Sequence, residues 1–316
     1  VPLGTQGNLF GITGGEGTGK SNYVAAIVAG CICPAGADID TLGIQITANG
    51  RHKAVLLYDT EQSEVQLFKN VSNLLARAKQ PDKPDELKAF CLTGMSRKER
   101  LHAIVQSMDK FYYQYGGIQL VVIDGIADLV KSANDEAESV AVIDELYRLA
   151  GIYNTCILCV LHFVPNGLKL RGHLGSELQR KAATILSIEK DEEPAQSVVK
   201  ALKVRDGSPL DVPLMLFAWD KEAGMHVYKG EKPREEKEKR KERELVNVAR
   251  DIFGRQTRIT YIDLCEQLQQ VLDIKERTAK SYIRFMRERN IITKDTANQS
   301  CFVIGSYNLR WNTSCP

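Results

Sequence analysis

The sequence contains no uninterrupted apolar run of the length that a membrane span requires, which is about 18 residues. Its beginning, VPLGTQGNLFG, lacks the basic stretch and the apolar stretch of a secretory signal peptide. It also lacks an internal repeat. These absences argue against a membrane-spanning protein, and we expect a protein of the cytoplasm without a membrane partner.

A disorder-prone composition is absent too, since 43% of the 316 residues are hydrophobic. A chain of this length can bury a substantial core, and we expect one large domain with a small second one. The eight cysteines lie mostly in apolar runs, where a thiol behaves as a small hydrophobic group. Cys156, Cys159 and His162 suggest zinc, but residues three apart on a strand point to opposite faces, which favours core packing.

The net charge is only +2, and it conceals two segments of opposite sign. Residues 231–316 carry 18 Lys and Arg against 13 Asp and Glu, which gives +5. Residues 1–230 carry 24 against 27, which gives −3. A basic segment attached to an acidic body is typical of a protein with an anionic partner, although a solvated surface gives the same pattern.

Short apolar runs alternate with amphipathic stretches over residues 9–228, which predicts an α/β domain with a parallel sheet covered by helices. The predicted strands are 9–13, 54–58, 89–92, 120–123, 156–161, 184–188, 198–204 and 214–219. Helices with apolar residues at three- and four-residue spacing are predicted at 20–29, 64–78, 98–113 and 136–153. We therefore assign residues 1–230 to one domain.

A mixed-charge run, KGEKPREEKEKRKERE, follows this domain and has no apolar face. It predicts a charged linker over 231–243, or the exposed start of a helix. A smaller domain, 244–316, is predicted to contain helices at 245–253, 261–268 and 276–289 and short strands at 291–293 and 301–304. Three helices followed by a hairpin predict a winged helix-turn-helix that binds DNA.

Gly14, Lys20 and Ser21 match the phosphate-binding pattern G-x-x-x-x-G-K-[ST] within the run GGEGTGKS. An apolar run, LFGIT, and a helix-like run, NYVAAIVA, flank it as the motif requires. Backbone N–H groups of such a loop surround the phosphates, while Lys20 neutralises their charge. The residues expected to bind ATP are Gly14, Gly15, Glu16, Gly17, Thr18, Gly19, Lys20, Ser21 and Asn22.

Two oxygen-bearing side chains predict the Mg²⁺ ion that accompanies the nucleotide. The Ser21 hydroxyl is expected to ligate the ion directly. Asp124 ends the apolar run IQLVVID, where its carboxylate can hold the water shell of the same ion.

Glu61 lies just past the apolar run AVLLYD, where a carboxylate can orient and deprotonate the water that attacks the γ-phosphate. With this glutamate the sequence resembles the RecA-fold ATPases, and most of all the DnaB-type and RepA-type hexameric helicases. The resemblance covers about residues 8–228. It implies a RecA-like, mostly parallel sheet and a homo-oligomer, with a hexamer as the expected ring. A nucleotide kinase, the other P-loop class considered, is not expected to carry a glutamate there.

Three further residues match positions of that family. His162 ends the apolar run CILCVLH, where the RepA-like group places a histidine or glutamine that senses the γ-phosphate. Lys203 and Arg205, in ALKVRDGSP, resemble the K-x-R element that hexameric helicases project into the neighbouring subunit's active site. A salt-bridged surface strand is the alternative explanation for this pair.

Two regions are candidates for binding DNA. Residues 165–176 occupy the place of the second DNA-contacting loop of the RecA fold, which implies single-stranded DNA contacts by Lys169, Arg171 and His173. The third helix of the small domain, KERTAKSYIRFMRER, carries a basic face around an apolar spine. Its expected contacts with duplex DNA are Lys275, Arg277, Lys280, Arg284 and Arg287. Winged helices also dock proteins, which is the alternative role.

The sequence favours a DNA-stimulated ATPase of the RepA-like helicase type that acts in replication, mobilisation or recombination of DNA, as on a plasmid or mobile element. A second hypothesis is a DNA-binding regulator whose ATP site controls assembly, with slow hydrolysis and no strand separation. A third, a small-molecule kinase, is disfavoured by Glu61, by the pair Lys203 and Arg205 and by the appended small domain.

Overall fold

The computed structural model describes residues 1–162, 172–191, 195–233, 237–254 and 256–306. The chain divides into two compact units, Val1–Lys232 and Pro233–Pro316, which are called the first and the second unit below. None of the described helices is both long enough and apolar enough to cross a membrane.

The first unit is built on one sheet with nine described strands. They are β1 (Leu9–Gly14), β2 (Ala54–Asp59), β3 (Leu87–Cys91), β4 (Ile118–Asp124), β5 (Cys156–His162), β6 (Thr184–Lys190), β7 (Gln196–Val204), β8 (Leu214–Asp220) and β9 (Met225–Lys232). Their order is β3-β2-β4-β5-β1-β6-β7-β8-β9. Neighbours from β3 to β6 in this order are parallel. The remaining three strands continue the sheet as an antiparallel meander.

Helices cover this sheet, as predicted for an α/β fold. They are α1 (Lys20–Ile32), α2 (Glu64–Arg77), α3 (Arg97–Tyr115), α4 (Glu136–Ile152) and α5 (Gly172–Lys181). Ser63, Ser96 and Asp135 cap α2, α3 and α4, each accepting a bond from a backbone N–H of the first turn. The central strands are buried over nearly their whole length, which explains why they read as continuous apolar runs rather than alternating ones.

Two apolar clusters lie on the two faces of the sheet, and the cysteines of β5 are divided between them. Cys156 packs in the cluster that contains Tyr23 and Phe217. Cys159 packs in the cluster that contains Ile104. Among the described residues no group of three His, Cys, Asp or Glu side chains is arranged to hold a metal ion. Both cysteines are core residues, and burial raises the pKa of the Cys156 thiol to about 12.

The second unit contains α6 (Lys237–Phe253), β10 (Ile259–Thr260), α7 (Tyr261–Leu272), α8 (Glu276–Glu288), β11 (Ile292–Lys294) and β12 (Cys301–Ile304). β12 lies between β10 and β11 and is antiparallel to both. The unit has its own core, in which Leu245, Leu264, Ile283 and Phe302 are buried.

Segment 231–243 is not the linker that its charge pattern predicted. β9 continues to Lys232 and α6 begins at Lys237, so the other expectation, the start of a helix, describes most of the segment. Glu, Lys and Arg have high intrinsic helix propensity, so a charged run extends a helix whose later turns are packed. Leu245 and Ala249 supply that packing.

β9, β10 and α5 are elements that the sequence analysis did not predict. α5, with the sequence GHLGSELQRK, contains two glycines, which lower helix propensity, and it is held by the buried side chains of Leu174 and Leu178. His173 therefore lies on a helix, where the sequence predicted a loop over 165–176.

Candidate functional site

The phosphate-binding pattern lies between the end of β1, at Gly14, and the start of α1, at Lys20. Gly17 and Gly19 have φ values of 66° and 92°, which residues with a side chain adopt only with strain. The loop brings the N-terminus of α1, with its unpaired backbone N–H groups, to the carboxyl edge of the sheet. That arrangement favours a bound anion.

The remaining residues of the predicted nucleotide site lie in this loop and in the first turn of α1. Close packing requires a glycine at position 14, because a Cβ there would collide with the carbonyl oxygen of Ile188. The Thr18 hydroxyl donates to the Gly15 carbonyl at 3.0 Å and holds the loop closed. Glu16, Gly17, Ser21 and Asn22 are exposed.

Lys20 is buried and its ammonium group lies at the centre of the site. Its Nζ donates to the carbonyl oxygens of Gly14 and Gly15, at 3.1 and 2.6 Å. Nζ also lies 3.2 Å from Nδ1 of His162. Burial lowers the pKa of Lys20, and the nearby carboxylates of Asp124, Glu61 and Glu16 act against that shift.

His162 connects Lys20 to Glu61. It ends β5 and is the register partner of Gly14 in β1, so the backbone fixes it beside the loop. Its Nε2 lies 3.3 Å from Oε2 of Glu61. An ammonium group only donates, so Nδ1 of a neutral His162 accepts from Lys20 and Nε2–H donates to Glu61. The three side chains form one hydrogen-bonded chain across the site.

Three carboxylates gather where β2 and β4 end. Asp59 and Asp124 are register partners on these adjacent strands, and Glu61 follows Asp59 by two residues. Burial raises the pKa of Asp124 to about 7, and the charges of Asp59 and Glu61 add to the shift. The accumulated negative charge would be relieved by a bound cation.

These residues fit a magnesium ion. Mg²⁺ prefers oxygen ligands and is bound through one or two protein groups together with the phosphates. Asp124 supplies a carboxylate at the edge of the sheet, and Ser21 supplies an exposed hydroxyl in the first turn of α1.

The turn that carries Glu61 is held by Asp59 and Thr60, two residues that the sequence analysis did not single out. Asp59 Oδ1 accepts from the backbone N–H groups of Glu61 and Gln62, at 3.0 and 2.8 Å. The buried Thr60 hydroxyl lies within hydrogen-bonding distance of the carbonyl oxygens of Asp124 and Gly125, at 3.0 and 2.8 Å. The turn is thus tied to the end of β4. The only sign of these two residues in the sequence was that both are polar and directly precede Glu61.

Lys203 and Arg205 do not join the site of their own chain. β7 is antiparallel to β6, and Val204 pairs with Thr184, which places both residues at the amino end of the parallel strands. Lys203 Nζ donates to the carbonyls of Gln179 and Arg180, at 2.7 and 3.1 Å. Arg205 donates to the Lys181 carbonyl at 2.9 Å. The pair therefore caps the C-terminus of α5.

The residues predicted to bind DNA are described only in part. Lys169 and Arg171 lie outside the described residues, and His173 is exposed at the start of α5. In the second unit Lys275, Arg277, Lys280, Arg284 and Arg287 are all exposed on or next to α8. Two of them form ion pairs within the helix, Lys280 with Glu276 at 2.7 Å and Arg284 with Glu288 at 2.8 Å.

A glycine-rich loop between a buried strand and a helix, in a mostly parallel α/β sheet, defines a P-loop ATPase of the RecA-like type. Comparison with protein families agrees, since the model of the AAA domain family matches residues 3–166. The chain belongs to this family. The matched region contains the loop, Glu61, Asp124 and His162. No curated protein matches the chain.

Proposed function

We propose that this protein is an ATP-hydrolysing, DNA-binding protein of the RepA-like helicase type. The observation that carries the proposal is the continuous chain from Glu61 through His162 to Lys20. It links the residue expected to activate the attacking water with the residue expected to hold the transferred phosphate. Storage of a nucleotide requires only the phosphate-binding part, whereas controlled hydrolysis requires a base and a group that responds to the γ-phosphate.

In this proposal each residue acts on one part of the reaction. Lys20 neutralises the β- and γ-phosphates, and Ser21 and Asp124 would hold a Mg²⁺ ion that would supply further neutralisation. The Glu61 carboxylate orients the water and accepts its proton. Because His162 bonds to both Lys20 and Glu61, a shift of Lys20 toward a γ-phosphate changes the hydrogen bonds available to Glu61.

We further propose that the protein works as a homo-oligomer, with a hexamer as the expected ring, in which Lys203 and Arg205 face the neighbouring subunit's nucleotide. Exposed apolar side chains support this, because they lie close in the sequence to Glu61 on one side and to Lys203 and Arg205 on the other. Val65 and Phe68, in the first turns of α2 after Glu61, are 67% and 74% exposed, and Leu210, in the turn after β7, is 70% exposed. Adjacent exposed apolar groups mark association surfaces. A head-to-tail contact between two different surfaces builds rings.

Duplex DNA is the partner that we propose for the second unit, interpreted as a winged helix-turn-helix with α8 in the major groove. Its exposed basic residues support the proposal. The ion pairs of Lys280 and Arg284 are exposed and four residues apart, a type that contributes little stability, so DNA phosphates compete for both cations. Single-stranded DNA contacts by Lys169, Arg171 and His173 complete the proposal.

A strand-displacement assay distinguishes the proposed helicase, which is a DNA motor, from the second hypothesis, a DNA-binding regulator whose assembly ATP controls. ATP turnover and displacement are measured on a forked duplex for the parent and for Lys20→Ala. A motor displaces the strand only with ATP and only in the parent. Tight duplex binding with slow hydrolysis and no displacement would favour the regulator.

A further inference from the structure

Trp219 is a large aromatic side chain that the first unit leaves uncovered. It lies one residue before the end of β8 and is 55% exposed. In contrast, Phe217, on the same face of the strand two residues earlier, is fully buried. The hydrophobic core accounts for Phe217 but not for Trp219.

The position of Trp219 is fixed relative to the phosphate-binding loop. Phe217 lies directly under that loop, because a Cβ on Gly19 would be 2.8 Å from its ring. The Phe217 ring also packs against Tyr23 in the second turn of α1, with centroids 5.9 Å apart. β8 has the same direction as β1, since two antiparallel pairings separate it from β6, which is parallel to β1. Trp219, two residues after Phe217, therefore lies about 7 Å further than Phe217 toward the carboxyl edge of the sheet.

The indole ring is supported from one side. His226, its register partner on β9, packs edge-on against it, with centroids 5.5 Å apart at 78°. The same imidazole packs edge-on against Phe217, with centroids 5.7 Å apart. This contact holds the ring in place, and more than half of the side chain stays open to solvent.

We propose that Trp219 is the stacking surface for the nucleobase of the nucleotide whose phosphates bind at Gly14–Ser21. The proposal rests on the nucleotide binding put forward above. Ser21 and Asn22, which follow Lys20 in the first turn of α1, are both exposed, so a sugar and base extending from the phosphates past them would lie open to solvent. Trp219 offers an aromatic face at the same edge of the sheet. Every nucleobase has a π-face, so a flat, exposed indole recognises the base without a hydrogen-bonding partner.

Comparison of two ligands tests this inference. ATP and inorganic tripolyphosphate are titrated into the full chain with Mg²⁺, using the parent, Trp219→Ala, Trp219→Phe and a control, Tyr113→Ala. Tyr113 is 76% exposed on α3 and matches Trp219 as an uncovered aromatic residue. We expect Trp219→Ala to weaken ATP binding by roughly 10-fold and to leave tripolyphosphate binding unchanged, with Trp219→Phe and Tyr113→Ala close to the parent.

The outcomes separate the stacking proposal from the proposed function. Unchanged ATP affinity in Trp219→Ala, with the parent binding both ligands, overturns the stacking role alone. A parent that binds neither ligand overturns nucleotide binding itself. Fluorescence provides a second measurement, because the chain has two tryptophans and a Trp311→Phe background leaves Trp219 as the sole reporter. ATP should change this signal and tripolyphosphate should not, and an equal response to both contradicts stacking.

Discussion

At the scale of single residues, the site depends on side chains that are far apart in the sequence and meet at one edge of the sheet. Lys20 follows β1, Glu61 follows β2, Asp124 ends β4 and His162 ends β5. Parallel strands bring their carboxyl ends to the same edge, so polar residues just after apolar runs are brought together. His162 is the member that makes them one network, since it contacts both Lys20 and Glu61.

Replacing Lys20 with alanine should abolish ATP binding. The phosphates would lose a buried cation in a site where charge-assisted hydrogen bonds dominate. Calorimetric titration of ATP measures this directly. Micromolar affinity in Lys20→Ala would contradict the role given to Lys20.

Thr60→Val should lower turnover by about 10-fold to 100-fold without changing ATP affinity, because it releases the Glu61 turn from β4 and misplaces the proposed base, Glu61. Thr184→Val is the matched control. Thr184 is fully buried on β6, and its hydroxyl has no hydrogen-bond partner among the described residues. Turnover constants and Michaelis constants are compared for both variants. Equal effects would mean that Thr60 acts only through folding.

The positions of Glu61, Asp124 and His162 at or just after the ends of strands could be predicted from the sequence, because each stands at or just after the end of an apolar run. Asp59 and Thr60 could not be given roles in the same way. Their function depends on bonds to the turn and to β4, and no local pattern reveals which residues a buried hydroxyl will meet.

At the scale of elements, α5 shows how a weak helix is held by a distant strand. Lys203 and Arg205, at the end of β7, donate to three of its last carbonyls, which lack partners within the helix. The sequence indicated neither the helix nor this capping, because α5 contains two glycines and the cations come from another element. The strands of the parallel part, in contrast, were all predicted from their continuous apolar runs.

Lys203→Met should therefore lower the free energy of unfolding by about 1 kcal/mol, since the helix loses a cation at its C-terminus while the aliphatic stem is kept. Lys221→Met, in the exposed turn after β8, is the control and should change little. Urea denaturation compares the two. Equal midpoints would show that the capping bonds do not stabilise α5.

At the scale of the whole molecule, the second unit carries a net positive charge, whereas the first unit is slightly negative. Residues 233–316 carry 17 Lys and Arg against 12 Asp and Glu. Removing them should weaken duplex DNA binding and flatten its salt dependence, because fewer counterions are released per complex. Binding is measured over a range of salt concentrations, with Arg148→Ala as a surface control. An unchanged salt slope would reassign the second unit to protein contacts.

Assembly can be tested by mixing two defective variants. If Arg205 reaches the neighbouring subunit's site, Arg205→Ala should bind ATP as the parent does but lose turnover, because an arginine there stabilises charge that develops in the transition state. Mixing it with Glu61→Gln should restore part of the activity, since some interfaces then pair an intact Glu61 with an intact Arg205. Absence of recovery in oligomers shown to be mixed would confine Arg205 to its capping role.

The most direct test of a DNA-stimulated ATPase is steady-state ATP turnover with and without single-stranded DNA, in the parent and in Glu61→Gln. DNA should raise the parent's turnover, and Glu61→Gln should still bind ATP but turn it over about 10²-fold to 10⁴-fold more slowly. Turnover that does not change when DNA is added would contradict DNA stimulation. A Glu61→Gln variant that hydrolyses ATP at the parent's rate would contradict the role proposed for Glu61.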